Sequence, residues 1–198
     1  MSFVIGLTGQ SGAGKTTVCD TLKESGFAII NCDLTARKVT SDGSECNLKL
    51  YYVFPMCFDD DLKLDRHKLA NEVFSDKEKL QQLDNIIYPY IIKQINDEIK
   101  ILSGQYDYII LDAPTLFEAG ADKICDKIIS VIADKDIRSE RIHKRDKISS
   151  EEIEKRFSSQ YDEKFFIENS DYIIRNNSDL ENAVKQTKEI ANAIKGSF

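Results

Sequence analysis

Several features that would mark a secreted, membrane-spanning or zinc-binding protein are missing from this 198-residue chain. Its five cysteines are an odd number and include no C-x-x-C pair. This spacing predicts neither a disulfide framework nor a zinc site, so we expect free thiols in a reducing compartment, the cytoplasm. No stretch approaches the roughly 18 to 20 apolar residues that a membrane span requires, so we expect no membrane partner.

An excess of positive charge is missing as well. The chain has 27 Lys and Arg against 34 Asp and Glu, a formal net charge of −7. Binding along a nucleic-acid backbone requires a broad basic surface, so we exclude nucleic acid as a partner. An anionic ligand must then be held by a local cluster of cations. The length fits one α/β domain with insertions, and the composition is that of an ordinary folded domain.

One glycine-rich stretch lies between an apolar run and a helical pattern. Residues 9–16 read G-Q-S-G-A-G-K-T and match the phosphate-loop pattern G-x-x-x-x-G-K-[ST]. Glycines let the backbone N–H groups wrap a phosphate, Lys15 supplies charge to it, and Thr16 offers a hydroxyl to Mg²⁺. The flanking residues 3–7 and 17–24 predict a buried strand and a helix, as this motif requires. The alternative is a glycine-rich turn with no ligand.

Two carboxylates follow predicted strands. Asp33 comes after the apolar run 27–30, and Asp112 comes directly after the run 108–111. Ligands of parallel sheets bind beyond the carboxyl ends of the strands, so we expect Asp33 near the phosphate loop. Asp112 stands where a carboxylate that organises Mg²⁺ is expected. Asp33 as a helix N-cap, and Asp112 as a simple turn residue, are the alternatives.

The rest of the pattern predicts a five-stranded parallel sheet with a long helical excursion. Residues 127–132 and 171–174 supply the fourth and fifth strands, whereas residues 34–104 contain no good central strand. That excursion is long for a connection between two strands, and we interpret it as a helical insertion. We expect Pro89 to open its longest helix, because proline is favoured in the first turn.

The cations are concentrated between the fourth and fifth strands. Arg138, Arg141 and Arg145 share one helical face, and Ser149 with Glu152 forms a capping box for a second helix that carries Arg156 and Gln160. We interpret the pair as a mobile lid that brings arginine onto a transferring phosphoryl group. The alternative is a solvated face on which acids pair with the arginines, namely Glu140, Asp146 and Glu151.

Together these elements predict a small-molecule kinase. Phosphoryl transfer requires alignment of acceptor and donor, neutralisation of charge and a group that accepts the hydroxyl proton. The competing class is a nucleotide switch, which would need N-K-x-D and D-x-x-G motifs. Neither is present, since Asp112 is followed by Ala113, Pro114 and Thr115.

The chain also resembles the dephospho-CoA kinase family over nearly its whole length. The residues that carry the resemblance occur in the family's order. They are Ile5, Gly6, Leu7, Thr8, Gly9, Gly12, Gly14, Lys15, Thr16, Thr17, Asp33, Leu64, Asp65, Arg66, Leu69, Phe74, Tyr88, Pro89, Pro114, Thr115, Leu116, Phe117, Glu118, Arg141, Arg145, Arg156, Gln160 and Asp171 through Asn176. The P-x-L-F-E segment and the R-x-x-x-Q lid are the most specific of these.

The resemblance implies ATP-dependent phosphorylation of the 3′-hydroxyl of dephospho-CoA, with Mg²⁺ as cofactor. It implies that Lys15, Arg141 and Arg145 act on the phosphates and that Asp33 is the base. The implied nucleotide contacts are Gly12, Ala13, Gly14, Lys15, Thr16, Thr17 and Asn176, the last beside the adenine. The implied acceptor contacts are Asp33, Arg66, Leu116 and Glu118. The implied metal ligands are Thr16 and Asp112.

The implied fold is a three-layer phosphate-loop kinase. Its nucleotide-binding core comprises residues 1–33, 105–135 and 166–198, its acceptor-binding insertion residues 34–104, and its lid residues 136–165. The chain departs from the family at Asn31, where an acid is common, at Tyr88 and at Thr115. These departures affect acceptor contacts, so a nucleoside or nucleotide monophosphate kinase is the alternative enzyme. Both a monomer and a small homo-oligomer stay open.

Overall fold

The apolar runs of the sequence form one parallel sheet in the computed structural model, which describes residues 2–74, 76–178 and 180–196. The described strands lie in the order β2-β3-β1-β4-β5, and the α/β fold with a five-stranded parallel sheet is confirmed. Their bounds are β1 (Phe3–Gly9), β2 (Ala28–Asn31), β3 (Tyr108–Asp112), β4 (Lys127–Ile132) and β5 (Tyr172–Arg175).

Helices supply the connections between these strands. Their bounds are α1 (Lys15–Glu24), α2 (Cys32–Val39), α3 (Glu45–Val53), α4 (Arg66–Phe74), α5 (Lys77–Leu102), α6 (Lys135–Asp146), α7 (Ser150–Ser158), α8 (Glu163–Glu168) and α9 (Leu180–Gly196), with short 3₁₀ turns at Pro55–Cys57 and Ala121–Ile124. In the described part of the chain, none of these helices combines the length and apolarity that crossing a membrane would need.

β1 is the central strand, and the phosphate loop follows it. It pairs in parallel with β3 on one side and with β4 on the other. Six of its seven residues are buried, as expected for a parallel strand covered on both faces. Its last residue, Gly9, has φ 139°, and a Cβ there would lie 2.1 Å from the carbonyl oxygen of Val131. Only glycine fits this close approach of two backbones.

The chain forms two compact units, residues 1–30 with 102–198 and residues 31–101. The first unit contains most of the sheet and the whole predicted lid; the second contains α2, α3, α4 and nearly all of α5. Asp33, which we placed with the predicted core range 1–33, belongs to the second unit.

The core of the first unit lies between the sheet and two helices. Val18 and Leu22 of α1, with Ala191 and Ile194 of α9, are buried in one cluster with inward residues of the strands. Those strand residues are Ile5, Leu7, Ile110, Ile129, Val131 and Ile174. Burying such side chains stabilises the fold by about 1.5 to 3 kcal/mol each.

The second unit has its own core, and it corrects one prediction. Pro89 does not open a helix but lies inside α5, which begins at Lys77. Asp76 caps the actual start by accepting hydrogen bonds from the N–H groups of Glu78 and Lys79 at 2.9 and 3.2 Å. A proline inside a helix costs about 3 kcal/mol, and apolar contacts on both sides of it offset that cost. They come from Leu80, Leu83, Ile86, Ile87 and Tyr90.

We expect Gly6→Ala to destabilise the protein. A Cβ at Gly6 would lie 2.6 Å from Cδ2 of Leu116 and 3.1 Å from Sγ of Cys125, and Leu116 is fully buried and has little room to move. Overpacking of this kind lowers the free energy of unfolding by about 1 to 3 kcal/mol. Urea denaturation followed by circular dichroism measures it.

Gly196→Ala is the control, because a Cβ there meets nothing within 4 Å. It should leave the urea midpoint nearly unchanged. Equal midpoints for Gly6→Ala and the unmodified protein would contradict the packing described around Leu116.

Candidate active site

The loop between β1 and α1 has the backbone that its glycines predict. Gly12 and Gly14 have φ values of 80° and 96°, and Gly14 is the N-cap of α1, so the helix begins at Lys15. The first N–H groups of a helix have no partner within it, and its N-terminus favours an anion. The loop therefore presents backbone donors and Lys15 at the end of the central strand.

A cavity of about 160 Å³ joins this loop to α6. Its cationic side chains are Lys15 from the loop and two arginines one turn apart on α6, Arg141 and Arg145. The remaining lining residues are Gln10, Gly12, Gly14 and Thr16. The structure thus brings the predicted phosphate-binding and lid residues to one site. Three cations around one cavity would attract a polyphosphate in an otherwise acidic protein.

Arg141 is held against the loop by two backbone carbonyls. Its Nη1 donates to the oxygen of Asn176 at 3.0 Å and, more weakly, to that of Ala13 at 3.5 Å. Its side chain is half-buried. A guanidinium held in this way loses less conformational entropy when it binds a phosphate.

Asn176 fastens the same part of the loop from the end of β5. Its Nδ2 donates to the carbonyl oxygen of Ala13 at 2.7 Å, and its own N–H donates to that of Ile132 at 2.9 Å. A Cβ at Gly14 would lie 2.3 Å from this Nδ2. The structure therefore gives Asn176 a contact with the loop, and its contact with adenine stays a prediction. Ala13 is fully buried and takes part through its carbonyl group.

Gln160 holds the loop from the lid. Its Oε1 accepts a hydrogen bond from the N–H of Ser11 at 3.1 Å. The prediction that one helix carries both Arg156 and Gln160 is wrong, because α7 ends at Ser158. The predicted capping box at the other end of α7 is confirmed, because Ser149 and Glu152 bond each other's backbone N–H groups.

Asp146 connects the two lid helices. Its carboxylate accepts from Nε and Nη2 of Arg145 at 2.7 and 2.9 Å, and from Nη1 of Arg156 at 2.5 Å. The hydrogen bonds from Arg145, and then those from Arg156, hold the pKa of Asp146 well below its usual range. Sequence reasoning treated Asp146 only as an acid that neutralises a solvated face. Its contact with Arg145 shows that it also positions a cation of the cavity.

The predicted metal ligands lie at the ends of neighbouring elements. Thr16 is exposed in the first turn of α1, and Asp112 is the half-buried last residue of β3. The thiol of Cys19 lies one turn further along α1. Burial, and to a lesser degree the nearby charge of Asp112, raises the pKa of this thiol to about 11. Within the described residues no group of three or more His, Cys, Asp or Glu side chains is suited to a metal.

Asp33 lies in the first turn of α2 and is exposed. Asn31 is the N-cap of this helix, and its side chain accepts from the N–H of Leu34 at 2.9 Å. The capping alternative for Asp33 is therefore wrong, since its neighbour fills that role. The approach of Asp33 to an acceptor hydroxyl stays a prediction.

The three other predicted acceptor residues have different surroundings. Arg66 donates from Nη2 to the backbone oxygen and Oγ1 of Thr40, at 3.2 and 2.7 Å, and so binds the C-terminal end of α2. Leu116 is fully buried, so we correct its assignment from acceptor contact to core. Glu118 is exposed in the segment after β3, and its contact with an acceptor stays a prediction.

Comparison with known proteins identifies the family of this chain. A family model described as dephospho-CoA kinase matches residues 3–182. A dephospho-CoA kinase of Fusobacterium nucleatum is 38% identical over 193 residues, which cover 97% of this chain and 98% of that protein. The corresponding protein of Oceanobacillus iheyensis is 32% identical over 192 residues, 96% of each chain.

Solved structures give the same result. The dephospho-CoA kinase of Campylobacter jejuni superposes with a TM-score of 0.75 at 27% identity, covering 100% of both chains. A shikimate kinase of Acinetobacter baumannii has a TM-score of 0.56 at 15% identity, covering 100% of this chain and 95% of that one. The second likeness shows only a shared fold.

We expect Asp146→Asn to destabilise the protein in a pH-dependent way. Because the folded state lowers the pKa of Asp146, its stabilising effect is complete above the pKa of an unfolded aspartate, about 3.9, and is lost as the pH falls below it. The difference in urea midpoint between the variant and the unmodified protein should persist from pH 7 to about pH 4 and shrink below that.

Asp42→Asn, an exposed change in the other unit, is the control and should alter the urea midpoint little at any of these pH values. A difference for Asp146→Asn that stayed constant down to about pH 2.5, roughly one unit and more below the reference pKa, would show that charge on Asp146 does not stabilise the lid.

Proposed function

Since this chain belongs to the dephospho-CoA kinase family and phosphorylates the 3′-hydroxyl of dephospho-CoA with ATP, we propose that the cavity between the phosphate loop and α6 holds the triphosphate. The observation that carries this proposal is the convergence of Lys15, Arg141 and Arg145 on one cavity. Two of these cations come from a different element than the loop, as expected for a lid that acts on a transferring phosphoryl group.

In this proposal the cations stabilise the charge that develops on the transferring group. Lys15 contacts the β- and γ-phosphates from the loop, while Arg141 and Arg145 approach from α6. Fixed charges stabilise a transition state because they need no reorganisation during the reaction. The contacts of Arg141 with Ala13 and Asn176, and of Arg145 with Asp146, support this role.

Mg²⁺ completes the nucleotide site in this proposal. Thr16 and Asp112 would hold it together with phosphate oxygens, since this ion is commonly bound through one or two protein ligands and the phosphates of the substrate. The oxygen donors of these side chains suit the ion. When bound, it would neutralise charge on the β- and γ-phosphates.

Asp33 is our candidate for the group that orients the acceptor hydroxyl and accepts its proton. Its place in the first turn of α2, two residues after the end of β2, supports this role, as does the fact that Asn31 caps α2 instead. The helical unit, residues 31–101, would hold the rest of dephospho-CoA, with Arg66 as a phosphate contact. We place the reaction in the cytoplasm, which agrees with the five free thiols.

Lys15→Ala should lower kcat for ATP-dependent transfer by about a hundredfold or more, the usual effect of removing one positioned charge. A coupled assay of ADP release with dephospho-CoA as acceptor measures it. Lys23→Ala is the matched control, because Lys23 lies two turns further along α1 and is exposed. It should retain nearly full activity.

The same assay with adenosine and with a nucleoside monophosphate tests the acceptor. Preference for dephospho-CoA is expected. Release of ADP only with a nucleoside monophosphate would contradict the proposed function, and so would full activity of Lys15→Ala.

Asp33→Asn should lower kcat steeply while leaving ATP affinity nearly unchanged, because the carboxylate acts on the acceptor and not on the donor. Isothermal titration with a non-hydrolysable ATP analogue measures the affinity, and ADP release measures the turnover. Asp42→Asn provides the control. Full turnover by Asp33→Asn would exclude Asp33 as the base.

A further inference from the structure

A second cavity of about 270 Å³ lies beside the phosphate cavity and shares Gln10 with it. Its lining comes from the phosphate loop, from the residue after β4, from α6, and from the stretch between the end of α7 and the start of α8. A water molecule occupies about 30 Å³ of liquid volume, so this cavity has room for several waters or for one heterocyclic ring.

Gln10 forms part of the wall of both cavities. Its side chain is 5% exposed, and no described residue donates a hydrogen bond to its buried Oε1. A buried amide oxygen without a donor is unfavourable, and nearly all such atoms in native proteins have a partner. Gln10 therefore requires a donor that the described part of the chain does not supply.

Another part of the cavity lining is a cation stacked on an aromatic ring. Arg138 is 8% exposed; its Nε donates to the carbonyl oxygen of Ala133 at 2.8 Å, and its guanidinium lies 4.3 Å from the centre of the Phe157 ring. Although its spacing placed Arg138 on one face with Arg141 and Arg145, it lines this cavity and is absent from the lining of the phosphate cavity. Planar cations and aromatic rings favour a flat, electron-rich ring as ligand.

The acidic side chains of this cavity have partners. Asp162 caps α8 by accepting from the N–H of Phe165 at 2.8 Å, and Glu163 accepts from Nη1 of Arg175 at 2.7 Å. Tyr161 also lines the cavity, and its ring stacks on Phe165 with the ring centres 3.8 Å apart. Among these groups, Oε1 of Gln10 is the atom that a ligand would have to supply with a hydrogen-bond donor.

We propose that this cavity binds the aminopurine base of the phosphoryl acceptor, with Gln10 accepting a hydrogen bond from the exocyclic amine. The proposal rests on the proposed function, in which the reacting hydroxyl belongs to the ribose that carries this base. One sugar separates the hydroxyl from the base, so the base must lie next to the phosphate cavity. Gln10 lines both cavities. Glutamine pairs with adenine by accepting from its amine and donating to a ring nitrogen.

The test compares two acceptors in two proteins. The acceptors are dephospho-CoA and an analogue in which unsubstituted purine replaces adenine, both with saturating ATP. The unmodified protein should prefer the natural acceptor by roughly tenfold to a hundredfold in kcat/KM. Gln10→Leu, which keeps the size but removes the oxygen, should use both acceptors equally. A merely distorted loop would lower both values and leave the preference intact.

Gln105→Leu is the matched control, because Gln105 is exposed between α5 and β3, and it should keep the full preference. Gln10→Met replaces Gln10→Leu if the latter does not fold.

Three outcomes would overturn the proposal. Equal use of both acceptors by the unmodified protein would show that the amine is not recognised. A preference retained by Gln10→Leu would assign recognition to another group, with water as the partner of Gln10. If Gln10→Leu kept its preference for dephospho-CoA but lost a preference for ATP over a deaminated donor, the cavity would be assigned to the base of the donor. Failure of the proposed function is distinct, because dephospho-CoA itself would then not be phosphorylated.

Discussion

The carbonyl oxygen of Ala13 is the point on which the nucleotide site depends. Asn176 from the end of β5 and Arg141 from α6 both donate to it, and Arg141 also donates to the carbonyl oxygen of Asn176. These hydrogen bonds connect the phosphate loop, α6 and the end of the edge strand β5 within the first unit. A loop rich in glycine has many conformations in isolation, and these contacts select one whose donors face a cavity.

A second set of contacts holds the two helices of the predicted lid and the segment after them. The carboxylate of Asp146 accepts hydrogen bonds from both Arg145 and Arg156, and Oε1 of Gln160 accepts one from the N–H of Ser11. The segment after α7 thus reaches the loop, and the start of α7 is closed by its capping box. Charged groups that are fixed before a ligand arrives lose less entropy on binding than flexible ones. In the proposed function, this would favour an ordered approach of arginine to the phosphates.

Sequence patterns were sufficient for the sheet and the loop because both depend on local chemistry. The apolar runs are long enough and rich enough in branched residues to predict every described strand within two residues of its bounds, and the glycines of the loop are required by backbone geometry.

Prediction failed where long-range packing decides. Pro89 lies inside α5 among partly buried apolar residues that pack against the core of the second unit, Leu116 fills the space above Gly6, and the guanidinium of Arg138 lies over the Phe157 ring. The partners of Asp146 and Gln160 depend in the same way on tertiary contacts.

The half-buried position of Cys19 affects the reactivity of its thiol. It lies one turn beyond Lys15, half-buried, with a pKa raised to about 11 by burial and by the nearby Asp112. Only the thiolate is a good nucleophile, and very little of it forms at neutral pH when the pKa is that high. Alkylating reagents and peroxide should therefore react slowly with this sulfur, although it lies in the helix that follows the phosphate loop.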